Sequence, residues 1–134
     1  DGIDVLGVLD GTAEGREHLL GFSSAPGDLS FRIMVRKGPW KYVYMANGGH
    51  EQLFNLDEDS DEKVQRLEDC PDIVRDLKRV AIEALDNPSG RRALDGDDFR
   101  RFPATKLKLE RCKQFNAIRG VTDFPAQPGD CVTT

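Results

Sequence analysis

Residues 31–62, FRIMVRKGPWKYVYMANGGHEQLFNLDEDSDE, are the most strongly patterned part of this 134-residue chain. Apolar and polar side chains alternate over residues 30–37 and again over 40–45, which is the period of a half-buried strand. Gly38-Pro39 and Asn47-Gly48-Gly49 separate these runs with residues typical of tight turns. The segment predicts an antiparallel meander whose core-facing side chains are Phe31, Ile33, Val35, Trp40, Tyr42 and Tyr44.

Two further strands and a helix extend this pattern. Residues 18–24 precede a turn at 25–28, and residues 51–56 follow the glycine turn. Pro71 then begins an amphipathic helix, because proline is favoured at the first helical position and Asp72 complements the helix dipole. The apolar stripe that should face the sheet consists of Ile73, Leu77, Val80, Ala81, Ala84 and Leu85.

These elements predict an α+β fold in which one long amphipathic helix packs across an antiparallel sheet of about four strands. The segment 87–90, Asn-Pro-Ser-Gly, ends the helix. Ahead of the sheet, residues 1–11 form either a short helix or an extended link. Beyond the helix, we predict a helical turn over 95–102, a strand over 105–112 and an irregular tail over the last dozen residues.

Composition limits the classes of partner. A chain of 134 residues with 32% charged side chains suits one soluble domain, and it contains no run of 18 apolar residues, so we predict no membrane contact. The net charge of −5 argues against nucleic acid as a partner, because phosphate binding needs clustered Lys and Arg. Residues 91–134 hold 9 basic and 6 acidic side chains, whereas 1–90 hold 10 and 18. This basic tail could dock on the acidic body or on another part of a longer protein.

The three cysteines do not read as parts of a disulfide framework or of a zinc site. Cys70, Cys112 and Cys131 are widely spaced and match neither a disulfide pattern nor a zinc motif. We interpret them as reduced, structural thiols, which favours a cytoplasmic compartment without determining it.

No catalytic centre is recognisable in the chain. His18 and His50 are its two histidines, and no G-x-S-x-G, phosphate-binding glycine loop or H-E-x-x-H pattern occurs. The acidic segment 57–68 has the spacing of an EF-hand loop, but Glu62 stands where that loop needs glycine. We interpret this segment as a solvated acidic turn.

Three segments, taken in order, resemble the C-terminal region of sulfatases, which belong to the alkaline phosphatase superfamily. DGIDVLGVLDG (1–11) is similar to the DG-x-S-L-x-x-L-L-x-G segment that follows the family's catalytic domain. MVRKGPWKYV (34–43) resembles V-R-x-G-x-W-K-Y-I, and QLFNLDEDSDE (52–62) resembles L-Y-D-L-x-x-D-P-x-E. Asp4 and Ser60 depart from the family pattern, at link and turn positions.

The resemblance implies that residues 1–90 are the C-terminal subdomain of a sulfatase and that 91–134 are a basic, partly irregular extension. The chain starts at Asp1 rather than Met, in keeping with a piece of a longer protein. The family's calcium ion and its formylglycine, made from a C-x-P-x-R or S-x-P-x-R motif, would then lie in an upstream catalytic domain of the same polypeptide. Cys70-Pro71-Asp72 does not match that motif, so we expect no catalytic and no metal-binding residue in this chain.

Two alternative functions remain open, and four residues are candidates for the rim of a substrate cleft. Phosphonate monoester hydrolases have a similar C-terminal sheet, and the sequence does not separate them from sulfatases. A domain for oligomerisation or partner binding is the other alternative, because an exposed sheet edge can pair with a second copy. If the subdomain lines the substrate cleft, loops at one end of the sheet should do so, and the candidates are Arg16, His18, Asn47 and His50.

Overall fold

The structure, a computed structural model, describes residues 4–105, of which 4–104 belong to one compact unit. The α+β class and the four-stranded meander predicted from the sequence are confirmed. All but the first residue of the strand predicted over 105–112, and the whole of the irregular tail, lie outside the described residues. In chain order the elements are α1 (Val5–Leu9), β1 (Leu19–Ser23), β2 (Arg32–Lys37), β3 (Trp40–Met45), β4 (His50–Asn55), α2 (Pro71–Ala84), a 3₁₀ helix (Gly90–Ala93), β5 (Leu94–Asp95) and β6 (Asp98–Phe99).

The sheet has one apolar face, and the strand register builds it. The strands pair antiparallel in chain order. Ile33 lies opposite Tyr44, and Tyr42 lies between Val35 and Leu53. Cross-strand partners project from the same face, so these five side chains form one surface, and all of them are buried. The core face predicted from the alternation is therefore confirmed.

Helix α2 covers this face and packs on β2 and β3. Pro71 occupies its first position, as predicted. Its apolar stripe buries Leu77 and Ala81, with Leu85 buried just beyond its end. The helix has 14 residues and is of ordinary length rather than long, because the chain leaves the helical conformation before it reaches Asn87.

The segment after α2 adds to the core. Ala93 and Phe99 are buried there, together with the sheet residues. The Phe99 ring stacks on Tyr44 with 4.2 Å between ring centroids and an interplanar angle of 13°. The Tyr44 hydroxyl donates a hydrogen bond to the carbonyl of Arg100 at 2.9 Å. The core therefore extends past residue 90, where the sequence predicts the basic extension to begin.

The prediction of a helical turn over 95–102 is wrong. The chain forms a two-stranded hairpin instead, with Asp95 opposite Asp98. Gly96 adopts a φ of +65° in the two-residue turn between them. Glycine reaches this backbone conformation without strain, and it reverses the chain where a helix would continue it.

The segment after β4 returns along the outer edge of that strand. The N–H of Arg66 donates to the carbonyl of Leu53 at 2.9 Å. The N–H of Leu53 donates to the side-chain oxygen of Gln65 at 2.7 Å. Both backbone groups of Leu53 are thus satisfied on the side of β4 that faces away from β3.

Candidate functional site

The four predicted rim residues lie at opposite ends of the sheet. His18 directly precedes β1 and lies near the β2–β3 turn, since Leu19 pairs with Arg36. His50 begins β4 and lies at the other end. A six-residue strand separates these ends by roughly 17 Å. The expectation of one shared end is wrong: Arg16 and His18 precede β1 at one end, and Asn47 and His50 lie in and after the β3–β4 turn at the other.

A backbone hydrogen bond joins the turn between β3 and β4, which precedes His50 and contains Asn47, to the segment after β6. Gly48 and Gly49 both adopt positive φ, which shapes the turn. The N–H of Gly48 donates to the carbonyl of Phe102 at 3.0 Å, in the segment that follows β6. His50 is exposed, and no hydrogen bond within residues 4–105 orients its ring. The Asn47 amide and the His50 imidazole are both groups that can donate or accept hydrogen bonds.

The pair at the other end is more strongly charged. Arg16 is exposed and His18 is half-buried. Between them, Glu17 accepts a hydrogen bond from Lys37 at the end of β2, and both side chains of this ion pair are exposed. The bond from Lys37 lowers the pKa of Glu17 below its usual value. This end of the sheet therefore presents cations and an imidazole that could contact an anionic ester.

A polar cluster that the sequence does not reveal joins α2, the sheet and the β5–β6 hairpin. The Lys78 ammonium donates to Glu51 at 3.0 Å and pairs with Asp98 at 2.9 Å. The second carboxylate oxygen of Glu51 accepts a hydrogen bond from the Tyr42 hydroxyl at 3.0 Å. The same ammonium lies 5.7 Å from the centroid of the Phe99 ring. One cation thus connects three elements of the fold.

The electrostatics of this cluster indicate a structural role. Burial, and then the nearby Glu51 carboxylate, raises the pKa of Tyr42 far above its usual range. Burial lowers the pKa of Lys78, but hydrogen bonds to Asp98 and Glu51 outweigh this effect and raise it overall. Burial raises the pKa of Asp98, but the bond from Lys78 outweighs it and lowers the value overall. All three pKa values move away from neutrality, which suits groups that keep one protonation state within a fixed cluster.

Lys78→Met should reveal the contribution of this cluster through its pH dependence. The variant keeps the apolar stem and loses the charge, so we expect it to lower the free energy of unfolding by about 2 kcal/mol at neutral pH. The difference from the wild type should shrink as pH falls through the lowered pKa of Asp98, because the carboxylate is protonated. It should also shrink as pH rises through the raised pKa of Lys78, because the ammonium is lost.

Urea unfolding of both proteins between acid and alkaline pH measures this difference. The matched control is Arg75→Met on the same helix, which removes an exposed ion pair to Asp72 and should cost less than about 0.5 kcal/mol. Equal losses in the two variants, with no pH dependence, would show that the cluster adds nothing to stability.

Carboxylates of the acidic segment after β4 form bonds within the turn and to β3. Asp59 accepts a hydrogen bond from the N–H of Val64 at 2.6 Å. Glu62 pairs with Lys41 of β3 at 2.7 Å. Over residues 4–105, no group of three or more His, Cys, Asp or Glu side chains is arranged to hold a metal ion. Cys70-Pro71-Asp72 does not match the C-x-P-x-R motif from which a formylglycine is made.

A shallow groove lies between the last turn of α2 and the β5–β6 turn. Ile82 and Leu94 line its apolar part. At its rim, Arg91 donates to Asp86 at 2.6 Å, and both side chains are exposed. None of the four predicted rim residues lines this groove, and its one cation, Arg91, is paired with Asp86.

Comparison of the chain with protein-family models and with curated proteins found no match. In the part of the chain that the structure describes, no helix has both the length and the apolar character needed to cross a bilayer. The sulfatase resemblance therefore rests on the three sequence segments alone.

Proposed function

We propose that this chain is the C-terminal structural subdomain of a sulfatase, and that it completes the fold of an upstream catalytic domain without being catalytic itself. The sheet and the helix that the resemblance implies are both present. The first family-like segment falls at α1, the second across β2 and β3, and the third at β4 and the acidic turn, while β1 carries none of them. This order supports the proposal.

The observation that carries the proposal is the apolar surface of α1. Leu6 and Leu9 are 75% and 78% exposed, more than any other large apolar side chain described. They are three residues apart, so they share one face of the helix. A five-residue helix is too short to be stable alone in water, even though Asp4 caps its start. Exposed apolar surface of this kind marks an interaction site.

In the proposed parent enzyme the catalytic domain covers this surface of α1. The sulfatase segment that α1 resembles is the one that directly follows the catalytic domain. The ester chemistry, with its formylglycine and its calcium ion, belongs to that upstream domain. This chain would contribute to the rim of the cleft. Because the Arg16/His18 pair and the Asn47/His50 pair lie at opposite ends of the sheet, a single cleft can contact only one of them.

An activity comparison tests the proposal. We expect the parent polypeptide, expressed with the residues that precede Asp1, to hydrolyse a chromogenic aryl sulfate, and the 134-residue chain alone to show no turnover. In the parent, Leu6→Lys combined with Leu9→Lys should lower activity by at least about tenfold, because two ammonium groups would be buried without partners. The control is Val64→Lys, an exposed apolar residue of the acidic turn, which should leave activity within about twofold.

Three results would count against the proposal. Turnover by the 134-residue chain that survives repurification would place catalysis in this segment. Unchanged activity of the doubly substituted parent would remove the role given to α1. A parent that cleaves a phosphonate monoester and leaves the aryl sulfate intact would favour the phosphonate hydrolase alternative.

The second candidate function, an oligomerisation module, is favoured by a different observation. That observation is the exposed β1, which forms the opposite edge of the sheet from β4.

A further inference from the structure

Strand β1 is an open edge of the sheet. Within residues 4–105, its five residues form backbone hydrogen bonds to β2 and to no other segment. At the other edge, Arg66 and Gln65 already bond to the outer side of β4. The unpaired N–H and C=O groups of an edge strand are a template for another strand.

The side chains of β1 extend the apolar face of the sheet beyond the helix. Leu20 and Phe22 pair with Val35 and Ile33, so they lie on the face that α2 covers further along. They nevertheless remain 36% and 53% exposed, because α2 packs on β2 and β3. A strand added beside β1 would bury them.

The charge pattern favours a second copy of the chain as that added strand. Residues 19–27, LLGFSSAPG, contain no charged side chain, although 32% of the chain is charged. Two copies with a net charge of −5 can therefore meet along β1 without bringing carboxylates together. Natural edge strands usually carry a lysine, a proline or a bulge that prevents such pairing, and the five residues of β1 carry no lysine and no proline.

The strand is also self-complementary about its centre. Gly21 is the middle residue of β1. When two β1 strands run antiparallel with their Gly21 residues opposite each other, Leu20 of one copy lies beside Phe22 of the other. Leu19 likewise lies beside Ser23. Each contact occurs twice about a twofold axis, which is the property of an isologous interface.

We propose that this chain forms a twofold-symmetric dimer by antiparallel pairing of its β1 strands about Gly21, so that the two sheets become one sheet of eight strands. The pairing satisfies edge backbone groups and covers the Leu20 and Phe22 of each copy with those of the other. Glu17 falls opposite Ala25 in this register, so like charges do not meet over positions 17–25. The inference goes beyond the proposed function and does not depend on it, because it uses β1 and not α1.

Sedimentation equilibrium of the full 134-residue chain measures the assembly. We expect a species of twice the 15.0 kDa chain mass for the wild type. Phe22→Lys should raise the dissociation constant by at least about a hundredfold, because each of two ammonium groups would replace an apolar contact. Val64→Lys is the matched control, since it places the same charge on an exposed apolar residue of the acidic turn, and it should leave the dimer unchanged. Circular dichroism of each variant verifies that it is folded.

Disulfide trapping tests the register. Leu19→Cys and Ser23→Cys are made separately in a chain whose three native cysteines are replaced by alanine. Under mild oxidation, a mixture of the two variants should form a covalent dimer that contains one of each, because these positions are neighbours across the axis. Either variant alone should remain unlinked.

Other outcomes overturn the inference. A wild-type chain that is monomeric at millimolar concentration, or a dimer that Phe22→Lys leaves intact, would exclude β1 pairing. A covalent dimer of Leu19→Cys alone would exclude the Gly21 register. If the β1 amides were protected from hydrogen exchange in a monomeric parent enzyme, the upstream domain would be the occupant instead. The aryl sulfate activity of that parent is a separate readout, so failure of one proposal does not imply failure of the other.

Discussion

Tyr42→Ala is expected to lower the free energy of unfolding by about 3–5 kcal/mol, the range seen when a large buried aromatic side chain is removed. Tyr42 is completely buried in the centre of the sheet, between Val35 and Leu53 and beneath α2. The substitution opens a cavity and also removes the hydroxyl that donates to Glu51. Small domains have only about 5–15 kcal/mol of stability, so the loss should be visible as a large shift of the unfolding midpoint.

Urea unfolding at neutral pH measures this effect, and Tyr42→Phe separates its two causes. The phenylalanine variant keeps the packing and loses the hydroxyl, so we expect a loss of about 1 kcal/mol. Glu51 retains its bond from Lys78 in that variant. If the alanine and phenylalanine variants lost the same amount, the hydrogen bond and not the packing would account for the stability.

Phe99→Ala should be of similar size, about 3–5 kcal/mol, and it should act on a different part of the molecule. Phe99 is 5% exposed, stacks on Tyr44 and lies beneath the Lys78 ammonium. Its loss removes the aromatic contact between the β5–β6 hairpin and the sheet, while the ion pair of Lys78 with Asp98 remains. We therefore expect the segment 90–102 to open before the rest of the unit unfolds.

Hydrogen exchange provides the local measurement. The amide of Arg100 donates to Ala93 and the amide of Phe102 donates to Ala46, so both should lose protection in the Phe99→Ala protein. Asp97→Ala, in the exposed turn of the same hairpin, is the control and should change stability by less than about 0.5 kcal/mol. Retention of both protected amides would mean that the hairpin is held by something other than the aromatic stack.

The strands and the helix were predictable because each carries a long local signal. Alternation over 30–37 and 40–45 defined two strands and the face they bury. Successive side chains of a strand point to opposite faces, so only one assignment places the apolar set in the core. The proline at Pro71 and the three- and four-residue spacing after it defined α2. In contrast, β5 and β6 have two residues each, which is too short for any period to appear. The Gly96-Asp97 pair, with glycine at the first turn position, was a turn signal for that hairpin.

The polar cluster could not be predicted in the same way. Lys78, Glu51 and Asp98 are 20 or more residues apart in sequence, and they meet because α2 and the β5–β6 hairpin both pack against the sheet. No local pattern encodes that packing. The separation of the rim pairs, however, follows from the meander alone. His18 precedes the first strand and His50 begins the fourth, and in an antiparallel meander these two strands start at opposite ends.

The bonds from Arg66 and Gln65 to Leu53 have a consequence for assembly. A sheet with two open edges can add strands on both sides, so that copies join without limit into fibrils. Here one edge is interrupted at the middle of β4. Any strand that joins at β1 uses up the remaining template, and growth ends with that addition. In the proposed dimer, the bonds from Arg66 and Gln65 to Leu53 would therefore restrict assembly to the single pairing at β1.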